Sequence, residues 1–255
     1  MKKLYKLKLI LKRLPKLYGL FVKTYILFRG IRYKLEGTKL EENYWANKQD
    51  DIWDNSETND WIRDIWDSQN HSHRTILLEK IFKYSPQSIL EVGCCCGPNL
   101  NLLAKMLPNT SIRGIDINPQ AVKKGNKWLA QEKKSNVELI LGKADDLQQF
   151  QNKNFDVVFT DAVLMYVGPD KIKKVINELL RVSRKALVLL EWQDFNATYN
   201  PLGKNIHHWV RDYKTLLQEI APEAHVIISK LPDDLWEDKN WKKHGAAIEI
   251  YMDGR

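Results

Sequence analysis

Between residues 88 and 252 the apolar positions fall into short unbroken runs separated by stretches of helical spacing. SILEV (88–92), IRGIDI (112–117), VELIL (137–141), FDVVF (155–159) and ALVLLE (186–191) alternate with NLLAKML (101–107), PQAVKKGNKWLAQEK (119–133) and DKIKKVINELLRVS (170–183). Runs without polar alternation suit strands buried on both faces, and intervening helices supply the cover, so the pattern predicts a parallel sheet between helical layers. Asn118 before Pro119 marks a helix start, because the asparagine side chain accepts from first-turn N–H groups and proline has none to satisfy. Asp212 marks another. With HVIIS (225–229) and AAIEIYM (246–252) the strand count reaches seven. The expected class is α/β, a doubly wound, mostly parallel seven-stranded sheet with an N-terminal helical cap.

Residues 41–80 lack this alternation. Trp45, Trp53, Trp61 and Trp66 stand among Asp and Asn, a pattern that reads as short helices whose tryptophans pack into a core. RTILLEKIFKY (74–84) has helical spacing and predicts a helix lying on the sheet. Nearer the start, Leu4, Leu7, Leu11 and Leu14 recur among lysines, and an apolar run from Leu17 to Phe28 is interrupted by Lys23. That run of 12 residues is shorter than the ~20 a bilayer span requires, and no small-residue cleavage site follows it. The organisation expected is a basic amphipathic leader (1–36), a tryptophan-rich helical cap (37–80) and a main domain (81–255).

The chain carries 40 Lys and Arg against 32 Asp and Glu, a net of +8, very unevenly distributed. Residues 1–34 hold eleven of the basic residues and no acid, so the remainder has 29 basic and 32 acidic residues, a net of −3. A groove that tracks nucleic acid needs a basic surface of its own, which makes nucleic acid an unfavoured partner of the body. The leader instead suits an anionic membrane surface, where each basic residue contributes about 1 kcal/mol. The three cysteines are consecutive, Cys94, Cys95 and Cys96. They cannot form a spaced disulfide framework, which points to a reducing, cytoplasmic setting, peripheral at the inner membrane face through the leader.

The first apolar run ends in Glu91-Val92-Gly93-Cys94-Cys95-Cys96-Gly97-Pro98, and the turn between strand and helix is where a doubly wound sheet holds a nucleotide-like ligand. A dinucleotide fingerprint needs glycines at 93, 95 and 98, and Cys95 and Pro98 break it. Pro98 also removes an N–H from the helix start where a phosphate would sit. An acid, a glycine turn and a second glycine remain, a set suited to a zwitterionic or cationic ligand.

These residues resemble the first motif of the class I S-adenosylmethionine-dependent methyltransferases, E/D-x-G-x-G-x-G, matched by Glu91, Gly93 and Gly97. The likeness runs from Ser88 to Trp192 and includes GIDINPQAV (114–122) and FDVVFTDAVLMYV (155–167), the latter similar to the family's fourth motif. It implies a Rossmann-like methyltransferase fold, S-adenosyl-L-methionine as cofactor, and a cofactor site of Glu91, Gly93, Cys95, Gly97, Asp116, Ile117, Ala144, Asp145 and Asp161. Within it Asp116 would bind the ribose hydroxyls, and Ala144 with Asp145 the adenine. Two positions depart from the family: Cys95 replaces the middle glycine, and Lys143 stands where an acid is usual. A side chain at position 95 is expected to keep φ negative, since left-handed backbone is costly for it. A thiolate or metal reading of the cysteines finds no partner, because His71 and His73 are remote in sequence and wrongly spaced for a zinc motif.

The resemblance implies methyl transfer to a small-molecule, glycan or lipid-linked acceptor at a hydroxyl. The N/D-P-P-Y/F/W motif of adenine N-methylation is absent: the fourth run is followed by Thr160-Asp161-Ala162-Val163. Asp161 and His208 are the candidate general bases, with Tyr166, Glu191, Asp194 and His207 on the same sheet edge. Two other functions compete: an RNA methyltransferase using the leader as an arm, and a non-catalytic scaffold, which Cys95 and Lys143 motivate.

Overall fold

The computed structural model describes residues 37–48, 60–196, 204–205 and 208–252. The leader, Trp53 and His207 lie outside the described residues. Helices α1 (Thr38–Ala46), α2 (Trp61–Asp67) and α3 (His73–Phe82) precede β1 (Ser88–Val92), α4 (Pro98–Met106), β2 (Ser111–Asp116) and α5 (Pro119–Gln131). Then come β3 (Val137–Leu141), β4 (Phe155–Asp161), α6 (Ile172–Val182) and β5 (Ser183–Trp192). A minor pair, β6 (Lys204–Asn205) and β7 (Trp209–Val210), leads to α7 (Tyr213–Ile220), β8 (His225–Lys230), α8 (Lys239–His244) and β9 (Gly245–Tyr251).

The main sheet has seven strands in the order β3-β2-β1-β4-β5-β9-β8. Its first five are parallel, and β9 runs antiparallel to both β5 and β8. The mostly parallel, doubly wound sheet expected from the apolar runs is therefore present. VELIL forms β3 over the residues expected, while FDVVF and ALVLLE extend to longer strands. Every residue of β4 before Asp161 is buried, which is why this run shows no alternation.

Two apolar layers cover the faces. Ile172, Val175, Ile176 and Leu179 of α6 pack with Tyr213, Leu216 and Leu217 of α7 on one side. Leu77 and Ile81 of α3, Leu100 and Leu103 of α4, and Ile62 of α2 pack on the other. The caps read from sequence form as expected. The Asn118 side chain accepts from the N–H groups of Gln120 and Ala121, and Asp212 accepts from Thr215. A carboxylate lies within β9: Glu249 is buried, and Lys80 of α3 and Lys83 just after it both reach it. Burial opposes its ionisation, but the two ammonium groups outweigh that and hold its carboxyl below the usual range.

The strand order reverses between β1 and β4, so the crevice beyond their carboxyl ends is the switch point at which such sheets take ligands. Helix α1 sits over this crevice, tied at three places. Thr38 donates its N–H and hydroxyl to Asp170, the hydroxyl at 2.7 Å. The Asn118 amide donates to the carbonyls of Trp45 and Lys48 at 2.8 and 3.0 Å. Glu42 pairs with Lys143 and Lys171.

Candidate cofactor and acceptor site

A cavity of about 490 Å³ opens at the switch point. Its wall includes Glu91, Gly93, Cys95, Asp116, Ile117, Ala144, Asp145 and Asp161 from the sheet edge, and Trp45, His71, His73, Trp236 and Trp241 from segments closing over it. The turn after β1 is tight. The N–H groups of Gly93 and Cys94 both donate to the Ile115 carbonyl, at 2.7 and 3.0 Å, and Gly97 N–H closes onto the Cys94 carbonyl at 2.8 Å. Gly93 has φ +82°, and a Cβ there would lie 2.3 Å from Val163 Cγ2, so only glycine fits. Gly97, at φ +80°, begins α4 from left-handed backbone and is not part of the cavity wall.

Cys95 corrects one expectation. Its φ is +50°, on the costly side for a residue with a side chain. Its N–H donates to Asp116 Oδ2 at 2.7 Å, and this bond, with the turn around it, holds the left-handed geometry that the family's glycine would adopt freely. The hydrogen bond to Cys96 and then burial push the Cys95 thiol well up, and burial foremost does the same to Cys94. Neither thiol therefore supplies a thiolate near neutral pH. Asp116 uses its other oxygen to accept from Asn118 N–H at 2.8 Å. Burial raises its carboxyl, against the opposing effect of the Asn118 and Cys95 N–H groups.

Asn99, in the first turn of α4, joins two acids. Its amide donates to Glu91 Oε1 at 2.7 Å and to Asp161 Oδ2 at 3.1 Å, while its carbonyl oxygen accepts from Arg74. Glu91 Oε2 is buried with no hydrogen-bond partner among the described residues. Burial, reinforced by the Asp161 charge, pushes the Glu91 carboxyl up to about 8 despite the Asn99 hydrogen bond. Asp161 is the opposite case. Burial again opposes ionisation, but His73 at 3.0 Å, Arg74 and Asn99 outweigh it and hold the carboxyl below its usual range.

Of the two histidines that sequence spacing set aside, His73 opens α3 and meets this acid, and His71, two residues before it, meets His73. His73 is buried, with Nε2 on Asp161 Oδ2, Nδ1 at 2.6 Å from His71 Nδ1, and its ring stacked on Trp236. Burial first, then the charges of His73 and Arg74, lower the His71 pKa. His208 lies elsewhere. It is not in the cavity wall, and its ring packs edge-on against Tyr166 and near Trp192. Glu191 is also structural: fully buried, it accepts from Thr160 Oγ1 and from the N–H groups of Val163, Leu164 and Met165, shaping the loop after β4. Burial pushes its carboxyl up to about 7. Asp145 lies between Lys171 and Lys174, which hold it ionised although burial opposes this. Lys143 extends away to Glu42 at 3.2 Å.

The donor set fits a ligand that carries both a cation and a ribose-like diol. The buried Glu91 oxygen without a partner suits an ammonium group, and Asp116 has lone pairs left to accept from hydroxyls. Fold and site together define an α/β domain built around a cationic nucleoside-type cofactor. Residues 89–186 match the family described as a methyltransferase domain. The Glu91-x-Gly93 turn and Asp116 both lie within this matched segment, which is similar to the methyltransferase domains of that family.

An uncharacterized protein of Rickettsia prowazekii (strain Madrid E) is 28% identical over 155 residues, which are 57% of this chain and 58% of that relative. A SAM dependent methyltransferase from Aquifex aeolicus superposes with a TM-score of 0.57 at 16% identity, over 75% of this chain and 97% of that one. The plantazolicin methyltransferase BamL, solved with a triazolic desmethylPZN analog and SAH, gives a TM-score of 0.61 at 14% identity, over 88% and 99% of the two chains. At these identities the structural likeness is one of fold.

Proposed function

We propose that this chain transfers a methyl group from S-adenosylmethionine to a hydroxyl of a small-molecule acceptor. The observation that carries the reading is the buried, unpartnered Glu91 oxygen in the wall of a cavity that Asp116 also lines. When bound, the cofactor supplies an electrophilic methyl group. Asp116 would hold its ribose, Glu91 its ammonium group, and Ile117 with the Ala144 backbone would flank the adenine. Acceptor alignment is the protein's main service in a direct displacement. The tryptophans at 45, 236 and 241 offer apolar walls for a small organic acceptor rather than a groove for a charged polymer. BamL, crystallised with a small-molecule analog, supports this reading by analogy. Calorimetric titration with S-adenosylmethionine and S-adenosylhomocysteine tests it. Saturable binding of both is expected, and no binding of either would leave a scaffold that has kept only the fold.

A further inference from the structure

The hydrogen bonds around His71 and His73 fix where their ring hydrogens lie. Asp161 is held ionised and can only accept, so His73 Nε2, 3.0 Å from its Oδ2, carries a hydrogen. The two Nδ1 atoms are 2.6 Å apart and need one hydrogen between them. His71 Nδ1 also accepts from the His73 backbone N–H at 3.3 Å, which turns its lone pair towards His73 and leaves that hydrogen on His73 Nδ1. His73 is therefore an imidazolium that donates from both nitrogens, and His71 is the neutral tautomer with its hydrogen on Nε2. That Nε2–H has no partner among the described residues, and it belongs to a ring in the cavity wall.

The charges around this donor favour an anion. Arg74 is buried and commits its guanidinium to the Ser68 carbonyl and hydroxyl and to Asn99, so it adds positive field without a free donor. Two cations, His73 and Arg74, thus face one carboxylate, Asp161. Glu91 does not cancel the excess, being driven towards the neutral form in the free protein and matched by the cofactor's ammonium group when charged. Trp236 is already stacked on His73 at 4.9 Å and on Trp241 at 4.4 Å, so the polar opening of the cluster is at His71. We propose that the acceptor carries a carboxylate and that His71 Nε2–H, with the His73 imidazolium behind it, receives that group. His73 and Asp161 are positioning residues: Asp161 keeps His73 charged, and His73 fixes the tautomer of His71. A hydrogen bond to an ionised group in a site shielded from water is about twice as strong as a neutral one, so the arrangement selects acids over their neutral analogues. This rests on the methyltransferase reading above and names the group by which the acceptor is held, apart from the hydroxyl that takes the methyl group.

The test uses the full chain saturated with S-adenosylhomocysteine, with benzoate and hexanoate as acid probes and benzamide and hexanamide as their neutral counterparts. At least one acid is expected to bind about tenfold or more tighter than its amide. The preference should vanish in His71→Phe and return in part in His71→Gln, whose amide N–H can donate. Equal binding of acids and amides, no binding of either acid, or a preference unchanged in His71→Phe, each overturns the proposal. Ring-nitrogen NMR of the same complex near neutral pH gives a readout that needs no variant: hydrogens on both nitrogens of His73 and on Nε2 alone of His71. A hydrogen on His71 Nδ1, or a neutral His73, overturns it equally. In Asp161→Asn the His73 ring should give up one of its two hydrogens, a change that a merely structural contact would not produce, and retention of both removes Asp161 from the positioning role. Failure of the wild-type chain to bind S-adenosylhomocysteine defeats the methyltransferase reading instead, and the two failures are thus distinct.

Discussion

Glu91 and Asp161, on adjacent strands and joined by one asparagine, are pushed in opposite directions by their surroundings. The Asp161 carboxylate has cationic and N–H partners and stays charged, whereas Glu91 has one amide and is driven towards the neutral form, near pH 8. Because the folded value of Glu91 lies above its unfolded one, its contribution to stability is fully present below about pH 4.5 and is lost as pH rises through about 8. Glu191, raised to about 7, acts in the same direction. The melting temperature of the free protein should therefore fall between pH 6 and 9, and Glu91→Gln should reduce that fall without removing it. A cationic ligand reverses the balance at Glu91. Cofactor binding at pH 7 should release on the order of one proton, measured as a buffer-dependent binding enthalpy, and Glu91→Gln should abolish the dependence. Asp116→Ala, which removes charge-assisted hydrogen bonds of about 1.5–3 kcal/mol each, should weaken cofactor binding tenfold or more. Unchanged affinity in a folded variant would remove Asp116 from the site. Cys95→Gly relieves the left-handed backbone at φ +50°, and should keep or improve both stability and cofactor affinity by about 1 kcal/mol.

At the scale of elements, Asn118 has two tasks that separate experimentally. Its carbonyl oxygen caps α5, and its amide clasps the end of α1 through the Trp45 and Lys48 carbonyls. Asn118→Ala should cost about 1–3 kcal/mol in urea denaturation, speed amide exchange in α1, and loosen cofactor binding. Asp212→Ala, which removes only the cap of α7, should cost about 1 kcal/mol with neither of the other effects. Both caps were legible in the sequence because a cap is local: an oxygen and an N–H two or three residues apart. The strands were legible for the related reason that burial on both faces leaves continuous apolar runs. The His71–His73–Asp161 chain was not. His73 and Asp161 are 88 residues apart, and only the packing of α3 beside β4 brings them together. The sign of φ at Cys95 was equally hidden, because the glycine it replaces allows either sign and the choice is made by Asp116, 21 residues on. That the residues expected at the cofactor would share one cavity wall could be read because one turn and two strand ends carry most of them, whereas His208 drew notice by its chemistry and packs edge-on against Tyr166 outside that wall.

For the whole molecule, charge and cavity separate into different parts of the chain. No helix among the described residues is long and apolar enough to cross a membrane. The cavity, its closing helix, and His71 and His73 all lie between residues 38 and 241, in a portion of the chain that is net acidic once the first 34 residues are set aside. Those 34 residues hold eleven positive charges and no negative ones, so any affinity of the chain for an anionic surface should reside there. The full chain should sediment with anionic vesicles and not with neutral ones. Binding should weaken steeply with salt, since attraction at the surface is screened within about 8 Å at physiological ionic strength. A variant lacking residues 1–34 should lose vesicle binding and retain its affinity for S-adenosylhomocysteine, because every residue assigned to the cofactor lies at or beyond Glu91. Equal sedimentation with both vesicle types, or a truncated protein that no longer folds, would instead make the leader an integral part of the domain's packing.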